Sequence, residues 1–266
     1  MKQVIRLLLL PALLTFLLIS SVFGSEWSET ELHLQYGNLD APSFAGGETA
    51  RTSIVTLQNS SGWKYGQNFF FVDFAFDDNT DGFNEASAFA EFIPTLNLND
   101  VTGSDLSIGP VRALGLVLGL NVATSAKKMK VMPGLKLFFD APGFAYLNTD
   151  IMRYIDKSRG LDKGGAPAED DSWQIDTAFL FPFSVGQHRF SVTGHVEYVH
   201  ARKNDLGDDI PYSVLSQTQF RYDLGHAVWE QKDRLFVGIE YQYWRNKLGD
   251  PSTTESAPQL LIVWRF

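Results

Sequence analysis

The chain has 266 residues, 44% hydrophobic, 14% aromatic and 20% charged, with a formal net charge of -9, 21 phenylalanines and no cysteine. This composition excludes a disordered chain, a coiled coil and a disulfide-stapled scaffold. The acidic balance argues against a nucleic acid polymer as partner, because phosphate binding needs clustered Lys and Arg.

Residues 1–24 read as a secretory signal peptide. Lys2 and Arg6 precede an apolar run from Leu7 to Ile19, and Ser20 and Ser21 lead to a cleavage pattern at Val22-Phe23-Gly24. The run is short for a membrane anchor, and beyond Gly24 no stretch is long and apolar enough for a helical span. Residues 25–266 are expected to form a single domain.

That domain alternates with period two, the pattern of a strand with two unlike faces. Leu32, Leu34 and Tyr36 oppose Glu31, His33 and Gln35. Phe70, Val72, Phe74 and Phe76 oppose Phe69, Phe71, Asp73 and Ala75. Further along, Gln217, Gln219, Arg221 and Asp223 share one face, and Thr218, Phe220 and Tyr222 the other. Leu235 to Trp244 and Gln259 to Phe266 alternate likewise. Twelve strands are predicted, at 28–37, 50–59, 65–76, 85–98, 109–120, 129–140, 143–154, 172–181, 188–200, 212–224, 234–245 and 256–266. Most are about ten residues or longer. Soluble strands favour about 5–6 residues, whereas a tilted membrane strand needs about 9–11.

The connections sort by parity. Those at 38–49, 77–84, 121–128, 155–171, 201–211 and 246–255 are mostly long, Gly-rich or charged. Those at 60–64, 141–142 and 182–187 are short, while 99–108 and 225–233 are longer. An all-β transmembrane antiparallel barrel of about twelve strands follows, with short periplasmic turns and longer extracellular loops. Hydrocarbon leaves bare backbone groups unsatisfied, so strands cross it only as a closed ladder. Trp27, Trp63, Tyr65, Tyr154, Trp173, Tyr212, Trp244 and Trp264 near strand ends are candidates for interfacial girdles. The rival fold is a soluble periplasmic ligand-binding barrel, which wets one face and buries the other. A free edge strand ending in Phe266 suits it poorly. A terminal aromatic instead suits recognition by the barrel-insertion machinery.

Catalysis is not expected. There is no Gly-x-Ser-x-Gly, His-Glu-x-x-His or Walker pattern. His33, His188, His195, His200 and His226 lack transition-metal spacing, and no cofactor is implied.

Several blocks in order resemble the Tsx family of nucleoside-specific channel-forming outer-membrane proteins, which includes the OmpK phage-receptor branch. They are Trp27-Ser28 with Leu32 to Gly37, Gly66-Gln67-Asn68-Phe69-Phe70 with Asp73, Glu91-Phe92-Ile93-Pro94, Leu106 to Pro110, Pro142 to Tyr146, Gly238 to Trp244, Asn246-Lys247 with Gly249, and Val263-Trp264-Arg265-Phe266. The resemblance implies a monomeric barrel in the outer membrane of a Gram-negative bacterium, surrounded by lipid and lipopolysaccharide. It implies passage of nucleosides or deoxynucleosides and a second role as phage or colicin receptor. A non-selective porin or a receptor barrel without nucleoside specificity is the alternative within this fold.

A narrow pore for a small aromatic solute needs rings that stack on the base and polar groups for base edges and ribose. By alternation the inward candidates are Phe71 and Asp73, then Phe89 and Glu91, then Phe144 and Tyr146 with Asn148. Asp176, Glu197, Gln219, Arg221, Glu240, Gln242 and Trp244 complete the expected lining, with Phe71, Asp73, Glu91, Arg221, Glu240 and Trp244 foremost. Inward Asp, Glu and Arg also build ion-pair networks that hold a barrel wall, and both roles stay open here.

Overall fold

The alternating segments become strands because each carries β-branched and aromatic residues on the outward face and a different set inside. The computed structural model describes residues 25–79 and 85–266. The expected signal peptide lies outside the described residues. The strands are β1 (Trp27–Asp40), β2 (Thr49–Trp63), β3 (Gly66–Asp77), β4 (Ser87–Asn97), β5 (Val111–Ala123), β6 (Lys128–Phe139), β7 (Tyr146–Asp156), β8 (Ser172–Val185), β9 (His188–Val199), β10 (Arg202–Lys203), β11 (Asp209–Ile210), β12 (Ser213–Asp223), β13 (Leu235–Arg245) and β14 (Thr254–Arg265). Twelve of them close into one antiparallel barrel in the order β1-β14-β13-β12-β9-β8-β7-β6-β5-β4-β3-β2, and β10 and β11 form a small separate ladder. Each predicted strand overlaps one barrel strand.

Outward residues form an apolar belt. Leu34, Leu116, Leu118, Leu135, Ile151, Ile239, Leu260 and Ile262 are all exposed, which is tolerable only against lipid. The seam joins the two chain ends, pairing Glu31 with Arg265 and Leu34 with Ile262. The Phe266 amide donates to Thr30 O at 3.0 Å, extending the seam to the last residue.

The periplasmic connections at 64–65 and 186–187 are two-residue turns, and Gly186 supplies φ 60°. The two longer ones each hold a short helix, Leu98–Thr102 and Leu224–Trp229. The Asn97 and Asp223 side chains cap them, accepting from the Asn99 and His226 amides. This is why those connections exceed hairpin length. Outside, the connection at 124–127 is a tight turn and shorter than predicted.

The last external connection is tied to the first. Asp250 accepts from the Ser43 amide and the Thr253 hydroxyl, both at 2.6 Å, and from the Ser252 amide and hydroxyl. Lys247 donates to Asp40 O and to Glu255, both at 2.7 Å. Burial pushes the Asp250 carboxyl up, but these hydrogen bonds outweigh it and hold it well below the usual Asp range. Its folded value is the depressed one, so the stabilisation is complete at neutral pH and fades as pH falls from the unfolded value toward the folded one. Asp250→Asn is therefore expected to lose stability at pH 7, with the gap to wild type narrowing below about pH 4. Urea unfolding at several pH values measures it, and a gap independent of pH would refute the assignment.

Candidate solute pathway

Inside the barrel the wall divides into a packed side and an open side. On the packed side Glu31 is buried and receives Arg265 Nη2 at 2.6 Å, Arg221 Nη1 at 3.1 Å, Gln58 Nε2 at 2.9 Å and His33 Nε2 at 2.8 Å. Both guanidinium groups lie over the Phe236 ring, at 5.7 and 5.1 Å. Higher up, Glu240 accepts from three amides, Gln219 at 2.6 Å, Gln35 at 3.1 Å and Gln259 at 3.2 Å. Gln242 continues the chain to Glu255, which pairs with Lys247. Each group here is locked by several partners, so β1, β12, β13 and β14 present a filled wall.

The open side runs along β3, β4 and β9. Phe69, Phe71 and Phe89 form a tilted series with centroids 6.0 and 5.7 Å apart. Phe71 stands opposite Glu91, and Phe89 opposite Asp73. Asp73 accepts from the Thr56 hydroxyl at 2.6 Å. Across the barrel His195 is held between Asp176 at 2.9 Å and Gln217 at 3.0 Å. Gln174 donates to Glu197 at 2.8 Å. The three rings, Asp73, Glu91 and Glu197 are half-buried, whereas Gln174, Asp176 and most groups of the packed side are buried.

The outer mouth is narrowed by two loops that fold inward. Glu169, from 157–171, pairs with Lys128, with Lys130 at 2.8 Å and with Arg202 at 2.6 Å. Lys130 and Arg202 both lie against the Tyr154 ring, at 4.9 and 5.4 Å. An outer cavity of about 630 Å³ includes Asp170, Arg202 and Asp209. A periplasmic cavity of about 480 Å³ is lined by Arg189, Asp223, Asp233 and Arg265.

The structure brings Phe71, Asp73, Phe89 and Glu91 together at one height of the lumen. Glu197 faces them from β9. Gln219, Arg221 and Glu240 also point inward but belong to the packed network. Trp244 is inward near the outer end, with Lys247 over its ring at 5.5 Å and an indole nitrogen that has no partner among the described residues. Tyr146 begins β7 near the periplasmic rim, opposite Leu180.

Phe144 is a correction. It precedes β7, in a turn where Gly143 adopts φ 86° and the Phe144 amide donates to Ala141 O. Its ring meets Phe181, on the lipid-facing side of β8, at 5.2 Å. A Pro-Gly turn breaks the alternation before residue 146, so the face cannot be extended back to 144. Tyr154 is likewise inward rather than in a girdle, because it follows Asp150 and Met152 on the lumen face. Glu169 and Arg202 were missed because loop residues carry no period. Only the local density of charge around 156–171 and 201–211 hinted at them.

The sequence model of a family described as "Nucleoside-specific channel-forming protein, Tsx" matches residues 57–262. The chain belongs to the Tsx family. The match spans the strands that carry the open side and most of the packed network, and it makes this barrel an outer-membrane channel rather than an enzyme. No curated relative matches the sequence. Among solved structures, an outer membrane channel from Pseudomonas putida F1 superposes with TM-score 0.51 at 10% identity, covering 91% of this chain and 96% of that one. At that identity the likeness concerns the fold alone. The NanC porin gives TM-score 0.49 at 13% identity, over 88% of this chain and 98% of its own. The KdgM porin, solved in complex with disordered oligogalacturonate, gives 0.48 at 8%, over 89% and 99%.

Proposed function

We propose that nucleosides and deoxynucleosides diffuse through this channel along its open side, stacking on the Phe69-Phe71-Phe89 series while Asp73 and Glu91 accept hydrogen bonds from base or ribose. The observation that carries this reading is that aromatic series, set beside two carboxylates with no Lys or Arg partner among the described residues, in a chain of the nucleoside-channel family. The Trp244 indole N–H, without a partner among the described residues, offers a first contact near the outer mouth. Arg221 and Glu240 act as scaffold in this reading, since their partners already occupy them. Several weak contacts in series suit a channel, because a solute must leave as readily as it enters.

Stacking on one ring contributes about 1–3 kcal/mol. Phe71→Ala and Phe89→Ala are each expected to weaken adenosine block of single-channel current by about 5- to 150-fold, the range that this stacking energy implies. Barrel assembly, read by heat-modifiable gel mobility, should be unchanged. Full adenosine block in both variants would end the assignment. The same proposal assigns any phage or colicin docking to the external loops 157–171 and 200–212 of a monomer. Those loops are joined by the Arg202–Glu169 pair and the Glu169–Asn204 bridge, while the β10–β11 ladder braces the second loop internally. Phage adsorption to cells expressing a variant with 203–209 shortened tests that part.

A further inference from the structure

The inward charges of this barrel do not balance by height. On the packed side Glu31 meets Arg221 and Arg265, and Glu255 meets Lys247. Asp150 meets Lys136. At the mouth Lys128, Lys130 and Arg202 meet Glu169 and Asp156, one positive charge over. Four lumen carboxylates, Asp73, Glu91, Glu197 and Glu240, have no ion-pair partner among the described residues. His195 is a basic group whose charge reaches Glu91, and its two ring nitrogens are already engaged by Asp176 and Gln217.

A second observation points to what these groups await. Asn121 stands opposite Glu91 in the β4–β5 ladder, with its side chain beside that carboxylate. Gln174 donates to Glu197. A carboxylate only accepts, so each amide must turn its NH2 toward it and leave its oxygen free. Asn121 Oδ1 and Gln174 Oε1 indeed have no partner among the described residues, although the two side chains are only 7% and 2% exposed. Buried acceptors left bare are costly, and here two of them flank carboxylates whose fields reach one another across the lumen. Neutral donors of a nucleoside can use one or two of these acceptors in passing, but a cluster of acceptors carrying net negative charge is left uncompensated by a neutral solute. A positive group compensates it.

We propose that the lumen at the height of Glu91 and Glu197 is a cation-selective constriction, where Asn121 and Gln174 add carbonyl oxygens to the two carboxylates and hold a monovalent cation, inorganic or alkylammonium, in transit. Among the described residues no group of three or more His, Cys, Asp or Glu is close enough to chelate a metal. The cation therefore passes with part of its water, as rings of acidic side chains in cation channels allow. The inference rests on the channel and not on its nucleoside specificity.

Reversal potentials of the refolded protein in planar bilayers test it, under KCl and under methylammonium chloride gradients. Near molar salt, exposed charges are screened within about 3 Å, which isolates the lumen's contribution. The wild type is expected to favour K⁺ and methylammonium over Cl⁻ several-fold. Glu91→Gln and Glu197→Gln should each reduce that ratio, and the double variant should bring it close to one. Asp208→Asn, in an exposed loop, should leave it unchanged. A wild-type ratio at or below one would overturn the proposal without any variant, and so would a ratio that survives in the folded double variant. Selectivity for K⁺ with none for methylammonium would limit the site to inorganic cations and overturn the alkylammonium part. Adenosine block recorded on the same channels separates the two readings, because block can be absent while cation selectivity persists.

Discussion

Glu31→Ala is expected to cost the folded barrel about 3–5 kcal/mol, the range for removing one member of a buried charged set. Glu31 is 2% exposed and receives four side chains, two of them guanidinium groups. Without it Arg221 and Arg265 lie against Phe236 with no carboxylate between them, apart from the half-buried Glu29 that reaches Arg265 at 3.1 Å. The effect should exceed that of Arg265→Ala, because Arg265 keeps contact with solvent while Arg221 does not. Reversible urea unfolding in lipid vesicles gives the number. A loss below about 1 kcal/mol, the scale of an exposed pair, would show that the network is hydrated and not closed.

Leu118→Arg is expected to destabilise by about 2–4 kcal/mol, the cost of a cation on the lipid face near the bilayer midplane. Leu118 lies halfway along β5 and is 44% exposed on the outward side, opposite Pro133. A soluble barrel would give the opposite result, since an exposed leucine would then face water and accept Arg with little penalty. The same change at Ser104, in the periplasmic connection, should stay within about 0.5 kcal/mol. Equal effects at the two positions would remove lipid from the account of the belt.

The strands were legible in the sequence because period two is dictated at every residue by the two solvents on either side of the wall. β1, β3, β13 and β14 show it most plainly, and the inward positions of Phe71, Asp73, Phe89, Glu91, Glu197 and Trp244 followed from it. Alternation says only that a residue is inward. It does not say whether partners already fill its hydrogen bonds. Arg221 and Asp73 looked alike in sequence, yet the first sits in a closed network with Glu31 and the second faces the open side. That difference depends on strands far apart in the chain, such as β1 with β12, and on the barrel's stagger. The Phe144 error came from carrying a strand period through Pro142-Gly143, where the backbone turns. The mouth cluster of Glu169 and Arg202 had no period to reveal it.

The seam has a consequence for how the wall is made. Eleven of the twelve pairings in the ring join strands that follow one another among the barrel strands, and one joins the ends. The eleven can zip as hairpins, whereas Glu31 and Arg265 must meet across 234 positions. Loop entropy grows only logarithmically with that span, but so distant a contact forms late. Until then the sheet carries two bare rims able to pair with a neighbouring chain. Damage to the latch at Asp250 and Lys247 should therefore surface during biogenesis as well, as stalled, aggregation-prone intermediates in addition to the lower stability of the finished barrel.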